Sequence, residues 1–135
     1  MDNNLKIESA LKMNKVVFEK IEFERLGFKD NDTKLDLNLQ TEILQRQDSD
    51  IYKVTLILKG IKRDEYRLEI VLSGYFSFES NAKLGKNEKD MLISRNSVAI
   101  LMPYLRSEVS ILTAQPDVEC VVLPVFNINN MFNQK

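Results

Sequence analysis

Residues 96–115 read NSVAILMPYLRSEVSILTAQ, and every position from Val98 to Leu105 is apolar or proline. Its length and its Ala, Leu and Met content favour helix over strand, with Asn96 or Ser97 as the candidate cap. Before Pro103 the segment is apolar on every side. After it, Tyr104, Leu105, Val109 and Leu112 form a stripe opposed by Arg106, Ser107 and Ser110. Pro103 lacks a backbone donor and crowds the carbonyl of Ala99, which costs about 3 kcal/mol in an ordinary helix interior, so a kinked or restarted helix is expected. A helix that is apolar all round must be covered all round, and one sheet covers one side. The surplus points to a second subunit.

The sheet is written in the preceding residues. KLDLNLQTEI (34–43) alternates strictly, with Leu35, Leu37, Leu39 and Ile43 on one face and Asp36, Asn38, Gln40 and Glu42 on the other. KVVFEKIEFERLGF (15–28) reads as a strand with Val17, Ile21 and Phe23 on one face and Lys20, Glu22 and Glu24 opposite. IYKVTLILKG and YRLEIVLSGYFSF, joined by the short polar IKRDE, read as an antiparallel hairpin pair. Their shared apolar face carries Tyr52, Val54, Leu56, Leu58, Leu68, Ile70, Leu72 and Phe76. Residues 79–95 are polar, contain Gly85 and read as a solvated loop. At the end, Pro116 and Pro124 bracket an extended apolar segment, and Asn127 is a candidate cap for a short final helix carrying Met131 and Phe132. The fold class expected is α+β, a four-stranded antiparallel sheet followed by a long Pro-kinked helix and a short C-terminal helix. The 135 residues form a single domain from 15 to 135 behind an N-terminal extension of residues 1–14.

Composition removes several classes of function. The chain holds 19 Lys plus Arg against 20 Asp plus Glu, a formal charge of −1, so no bulk positive field attracts nucleic acid. Tyr66 and Arg67 fall on opposite strand faces, which defeats a basic aromatic platform for single strands. No apolar run is long enough for a signal sequence or a membrane span, so a cytoplasmic protein is expected. The lone Cys120, in ECVVLP, reads as a small buried hydrophobe. There is no histidine, so histidine-based triads and metal sites are excluded. Glu22 with Glu24, and Asp36 with Asp48 and Asp50, are paired carboxylates on paper, but Glu22, Glu24 and Asp36 alternate as a solvated strand face would. No catalytic residue, metal site or cofactor is assigned. What remains is surplus apolar surface at element ends and connections: Phe18, Phe28, Phe126, Ile128, Met131 and Phe132.

DIYKVTLIL (50–58), EIVLSGYFSF (69–78), the helix above and LPVFNINNMF (123–132), in this order, resemble the SecB-type protein-export chaperones. AILMPYLRS is the most specific part, similar to an ILFPYAR-like helix core, and KLDL (34–37) is similar to a strand motif. The resemblance implies a dimer of dimers, a homotetramer with helices between sheets, and an ATP-independent holdase that binds unfolded or preprotein clients in apolar grooves and delivers them to the motor SecA. It places client contacts at Phe28, Leu35, Phe126, Ile128, Met131 and Phe132, and subunit contacts at Leu68, Ile70 and Leu72. Those three equally suit plain core packing. Leu101, Tyr104 and Leu105 of the helix join the expected oligomer interface. The family's acidic motor-facing positions fall on Glu24 and Glu69, with Lys20 and Arg67 at two further positions. That mixture of signs motivates a second reading, a chaperone dedicated to the antitoxin of a toxin–antitoxin system. A third reading is a small-molecule binder or hydrolase that uses the greasy cavity of the sheet.

Overall fold

The structure is a computed structural model that describes residues 11–30, 32–46, 50–79 and 84–124. Four strands, β1 (Leu11–Arg25), β2 (Leu35–Gln45), β3 (Tyr52–Lys62) and β4 (Tyr66–Phe78), form one antiparallel sheet in the order β1-β4-β3-β2. β3 and β4 occupy the middle because theirs are the longest apolar alternations. Tyr52, Val54, Leu56 and Leu58 lie beside Phe76, Gly74, Leu72 and Ile70 on one buried face. The hairpin joining them turns through Arg63–Glu65, where Asp64 takes a left-handed φ of 63° and the Glu65 N–H donates to the Lys62 carbonyl at 3.0 Å. The left-handed residue is the middle one of the three, and aspartate tolerates that conformation better than most residues.

β1 departs from the alternation in two ways. It starts at Leu11, so residues 11–14 of the segment read as an extension belong to the sheet. Irregularities between Met13 and Lys15 and between Phe18 and Lys20 each insert a residue, and every insertion flips the side chains that follow. Val17 therefore faces Ser73 on the open side, whereas Val16, Phe18 and Phe23 pack on the core beside Gly74, Leu72 and Leu68. The expected grouping of Val17 with Ile21 and Phe23 is corrected accordingly. The strand ends at Arg25, not 28, because the N–H groups of Leu26 and Gly27 turn to the Glu65 carbonyl at 2.8 and 3.1 Å.

The expected loop at 79–95 is corrected in its second half. Residues Lys86–Met91 form helix α1, Leu92–Asn96 widen into a single π turn, and Ser97–Thr113 continue as α2. The Gly85 N–H donates to Glu88 Oε1 at 3.3 Å at the start, and the burial of Leu92 and Ile93 anchors the segment. Helix therefore already precedes Asn96, whose side chain makes no capping bond.

α2 lies across β3 and β4 and buries Val98, Leu101, Met102, Leu105 and Val109. Close approach depends on Gly74: a Cβ there would stand 2.7 Å from Phe76 Cε2 and 2.8 Å from Leu101 Cδ2. Pro103 and Ala99 are both exposed, so the proline occupies the watered side and the carbonyl it orphans sits on a turn open to solvent. The six residues expected at a subunit interface differ in burial within the single chain. Leu68, Ile70, Leu72, Leu101 and Leu105 are enclosed in the chain's own core, and only Tyr104 of the six is exposed. With Ile100 and Ile111 it forms an outward stripe along α2.

After α2 the chain turns at Gln115–Val118 and runs back beside the helix. Ser110 Oγ donates to the Val121 carbonyl at 3.0 Å, and the Val121 N–H donates to Thr113 Oγ1 at 2.9 Å. Leu123 is the residue of this strip that reaches the core, while Cys120 is exposed, so the buried-thiol expectation is corrected. The expected final helix, with Phe126, Ile128, Met131 and Phe132, lies outside the described residues.

Candidate functional site

One end of the sheet gathers the end of β1, the start of β2, the β3–β4 turn and the turn after α2. At its centre is Glu65, which is fully buried. Glu65 Oε2 accepts from Lys62 Nζ at 3.0 Å and from the Asp30 N–H at 2.9 Å, while its main-chain carbonyl holds Leu26 and Gly27. Lys62 is buried as well. Burial by itself raises the Glu65 carboxyl, but the Asp30 N–H, the Lys62 ammonium and the Arg25 charge outweigh it and leave the group below its ordinary value. Arg25 completes the join. Its guanidinium donates to the carbonyls of Asp117 at 2.9 Å and Pro116 at 3.0 Å, and Asp117 Oδ2 accepts from the Lys29 N–H at 3.1 Å.

The segment Leu26–Asp30 thus becomes a lip whose backbone is fixed and whose apolar side chains are not covered. Phe28 is 87% exposed, the highest value among the large hydrophobic residues described, and Leu26 is 49% exposed. A cleft of about 370 Å³ lies between them, bounded by Arg25, Gly27 and Asp117. Leu35, at the start of β2 opposite Lys62, is half-buried and packs against the core. Another open cleft, of about 460 Å³, lies at the opposite end of the sheet on the β2 side, where Ile43 and Tyr52 face Met91 and Ile93 of the helical segment.

The opposite face, away from α2, is charged but balanced. Glu24 pairs with Arg67 at 2.7 Å, and Lys20 bridges Glu69 at 3.1 Å and Glu22 at 3.8 Å. Farther along, Glu19 contacts Ser73 Oγ and pairs with Lys53 at 3.2 Å. The hydrogen bonds from Ser73 and Lys53 hold the Glu19 carboxyl below its ordinary value. Both lowered carboxyls favour the folded chain in their charged form. Their contribution is complete above the ordinary glutamate value of about 4.3 and disappears as pH falls through the depressed values below it. The melting temperature is expected to drop steeply on acidification below about pH 4.3, and the drop should be shallower in Glu65→Gln. Thermal unfolding followed by circular dichroism across that range checks it, and equal slopes for the two proteins would refute the assignment to Glu65.

Among the described residues no cluster of three metal-ligating side chains occurs, and no helix is long and apolar enough to cross a membrane. No family model matches the sequence. An uncharacterized protein of Methanocaldococcus jannaschii is 31% identical over 130 residues, covering 90% of this chain and 82% of that one. The chain belongs to that protein's family. The SecB-like chaperone of Mycobacterium tuberculosis, solved in complex with a ChAD peptide from the HigA1 antitoxin, superposes with a TM-score of 0.73 at 10% identity, over 90% of this chain and 97% of that one. The fold is SecB-like.

Within this SecB-like chain the expected residues separate by location. Phe28 and Leu35 come to one end of the sheet, Phe28 outside and Leu35 half-covered. Glu24 and Glu69 share the open face, each tied to a neighbouring cation. The sequence reading missed Glu65, which lies in the polar IKRDE connection, along with Leu26 and the Arg25–Asp117 junction. Only Leu26 carried a local signal, an apolar residue beside Gly27 just past the strand.

Proposed function

We propose that this chain is a cytoplasmic, nucleotide-independent chaperone that holds apolar segments of unfolded polypeptides or preproteins and performs no catalytic step. The observation that carries the reading is Phe28, a large aromatic left in water on a lip whose backbone is tied down at four N–H groups. A solvated aromatic on a fixed support gains about 25 cal/mol for each Å² of apolar area it loses to a client, with little ordering cost to set against it. The SecB-like fold and the antitoxin peptide held by the Mycobacterium tuberculosis chaperone support the reading. A homotetramer, a dimer of dimers, belongs to it as well. The Ile100, Tyr104 and Ile111 stripe would lie against a second copy, and α2 also carries Arg106, whose buried Nε has no partner among the described residues.

The test mixes purified protein with a chemically unfolded, aggregation-prone substrate and follows light scattering and refolding. The protein in excess is expected to suppress aggregation and slow refolding, and Phe28→Asp to weaken this about tenfold, the worth of burying part of one aromatic ring. Unchanged kinetics with excess wild-type protein would remove the proposal.

A second reading, a chaperone dedicated to an antitoxin, is favoured by the open face, where Arg67 and Lys20 neutralise the carboxylates that would face SecA. Pull-downs separate the two: capture of SecA favours export, and capture of an antitoxin encoded beside this gene without SecA favours the dedicated role.

A further inference from the structure

We propose that Glu65 is the positioning residue of the Phe28 lip, setting client affinity through the backbone of Leu26–Asp30 without touching the client; the inference rests on the functional reading above. Three N–H groups within five consecutive residues, those of Leu26, Gly27 and Asp30, all end on Glu65, two on its carbonyl and one on Oε2. Gly27 lies so close to the hairpin turn that a Cβ on it would stand 2.3 Å from the Asp64 carbonyl oxygen.

The Lys62–Glu65 pair is an expensive way to fill a core position, since apolar residues of similar volume commonly do as well or better. Among the described residues Glu65 Oε1 is buried without a donor. A carboxylate placed for its own stability would use both oxygens. This one uses Oε2 to join the lysine of the hairpin to the main chain of the lip, beneath the most exposed large apolar side chain of the described residues.

The experiment compares Lys62→Met/Glu65→Leu, Lys62→Met/Glu65→Gln and Phe28→Ala with wild type, using a fluorescently labelled, permanently unfolded aromatic-rich polypeptide as probe. Amide hydrogen exchange at Leu26, Gly27 and Asp30 is read in parallel. The Met/Leu variant is expected to melt at or above the wild-type temperature, bind the probe about tenfold more weakly, as Phe28→Ala does, and exchange Asp30 at least tenfold faster. Adding Phe28→Ala to it should cost no further affinity. The Met/Gln variant keeps an acceptor for the Asp30 N–H and should bind within about threefold of wild type, a rescue that general packing would not give.

Wild-type affinity in the Met/Leu variant, unchanged exchange, or no difference between the Leu and Gln variants would each overturn the proposal. If the Met/Leu variant fails to fold, the Met/Gln variant decides by the same affinity and exchange criteria against Lys62→Met alone. Wild-type protein that binds no probe would defeat the functional reading and the affinity claim together, while exchange still shows whether Glu65 orders the lip.

Discussion

Lys62→Met is expected to destabilise the chain by about 3–5 kcal/mol, the range found when one partner of a buried ion pair is removed. The size follows from what is left behind. Glu65 is fully buried, and among the described residues one of its oxygens lacks a donor and, without the lysine, the other keeps only the Asp30 N–H. A carboxylate in that position must either hold an uncompensated charge or take up a proton. Urea unfolding at neutral pH measures the loss, and it should shrink on acidification as the glutamate becomes neutral. A change below about 1 kcal/mol would place the lysine among ordinary exposed pairs.

Leu101→Ala should cost about 2–5 kcal/mol, because Leu101 is completely enclosed between α2 and the sheet and its removal leaves a cavity. Gly74→Ala should cost about 1–3 kcal/mol for the opposite reason, an added methyl with no room. The two are coupled. Leu101 Cδ2 is one of two side-chain groups a Cβ on Gly74 would strike, the other being the ring of Phe76. The double variant is therefore expected to lose less than the sum, by about 0.5–3 kcal/mol. Denaturant unfolding of the four proteins gives the cycle, and strict additivity would show that Phe76 alone sets the clearance.

Much of the fold was legible because the two-residue period survives in three strands. Leu35, Leu37 and Leu39 face the core side, as do the even-numbered apolar residues of β3 and β4, and the β3–β4 hairpin turns where the polar connection stands. The period failed in β1, where two inserted residues moved Val17 to the open face and Phe18 to the core. It failed again before Asn96, where Lys86, Glu88, Lys89 and Asp90 hide a helix held by Leu92 and Ile93. In α2 a run that is apolar on every side carries no mark of which side meets the sheet, so buried Leu101 and Leu105 could not be told from exposed Tyr104. At the candidate site Phe28 was readable as an aromatic beyond a strand end. Glu65 was not, because a charge in a hairpin turn reads as solvated until another segment folds over it.

The balanced face of the sheet has a kinetic consequence. Charges already neutralised by their neighbours project little potential beyond the Debye length, so a protein approaching that face is neither drawn in nor repelled from afar. Encounter rates there should vary little with ionic strength, and any partner that settles on it must be recognised by shape and by exchange of salt bridges at contact.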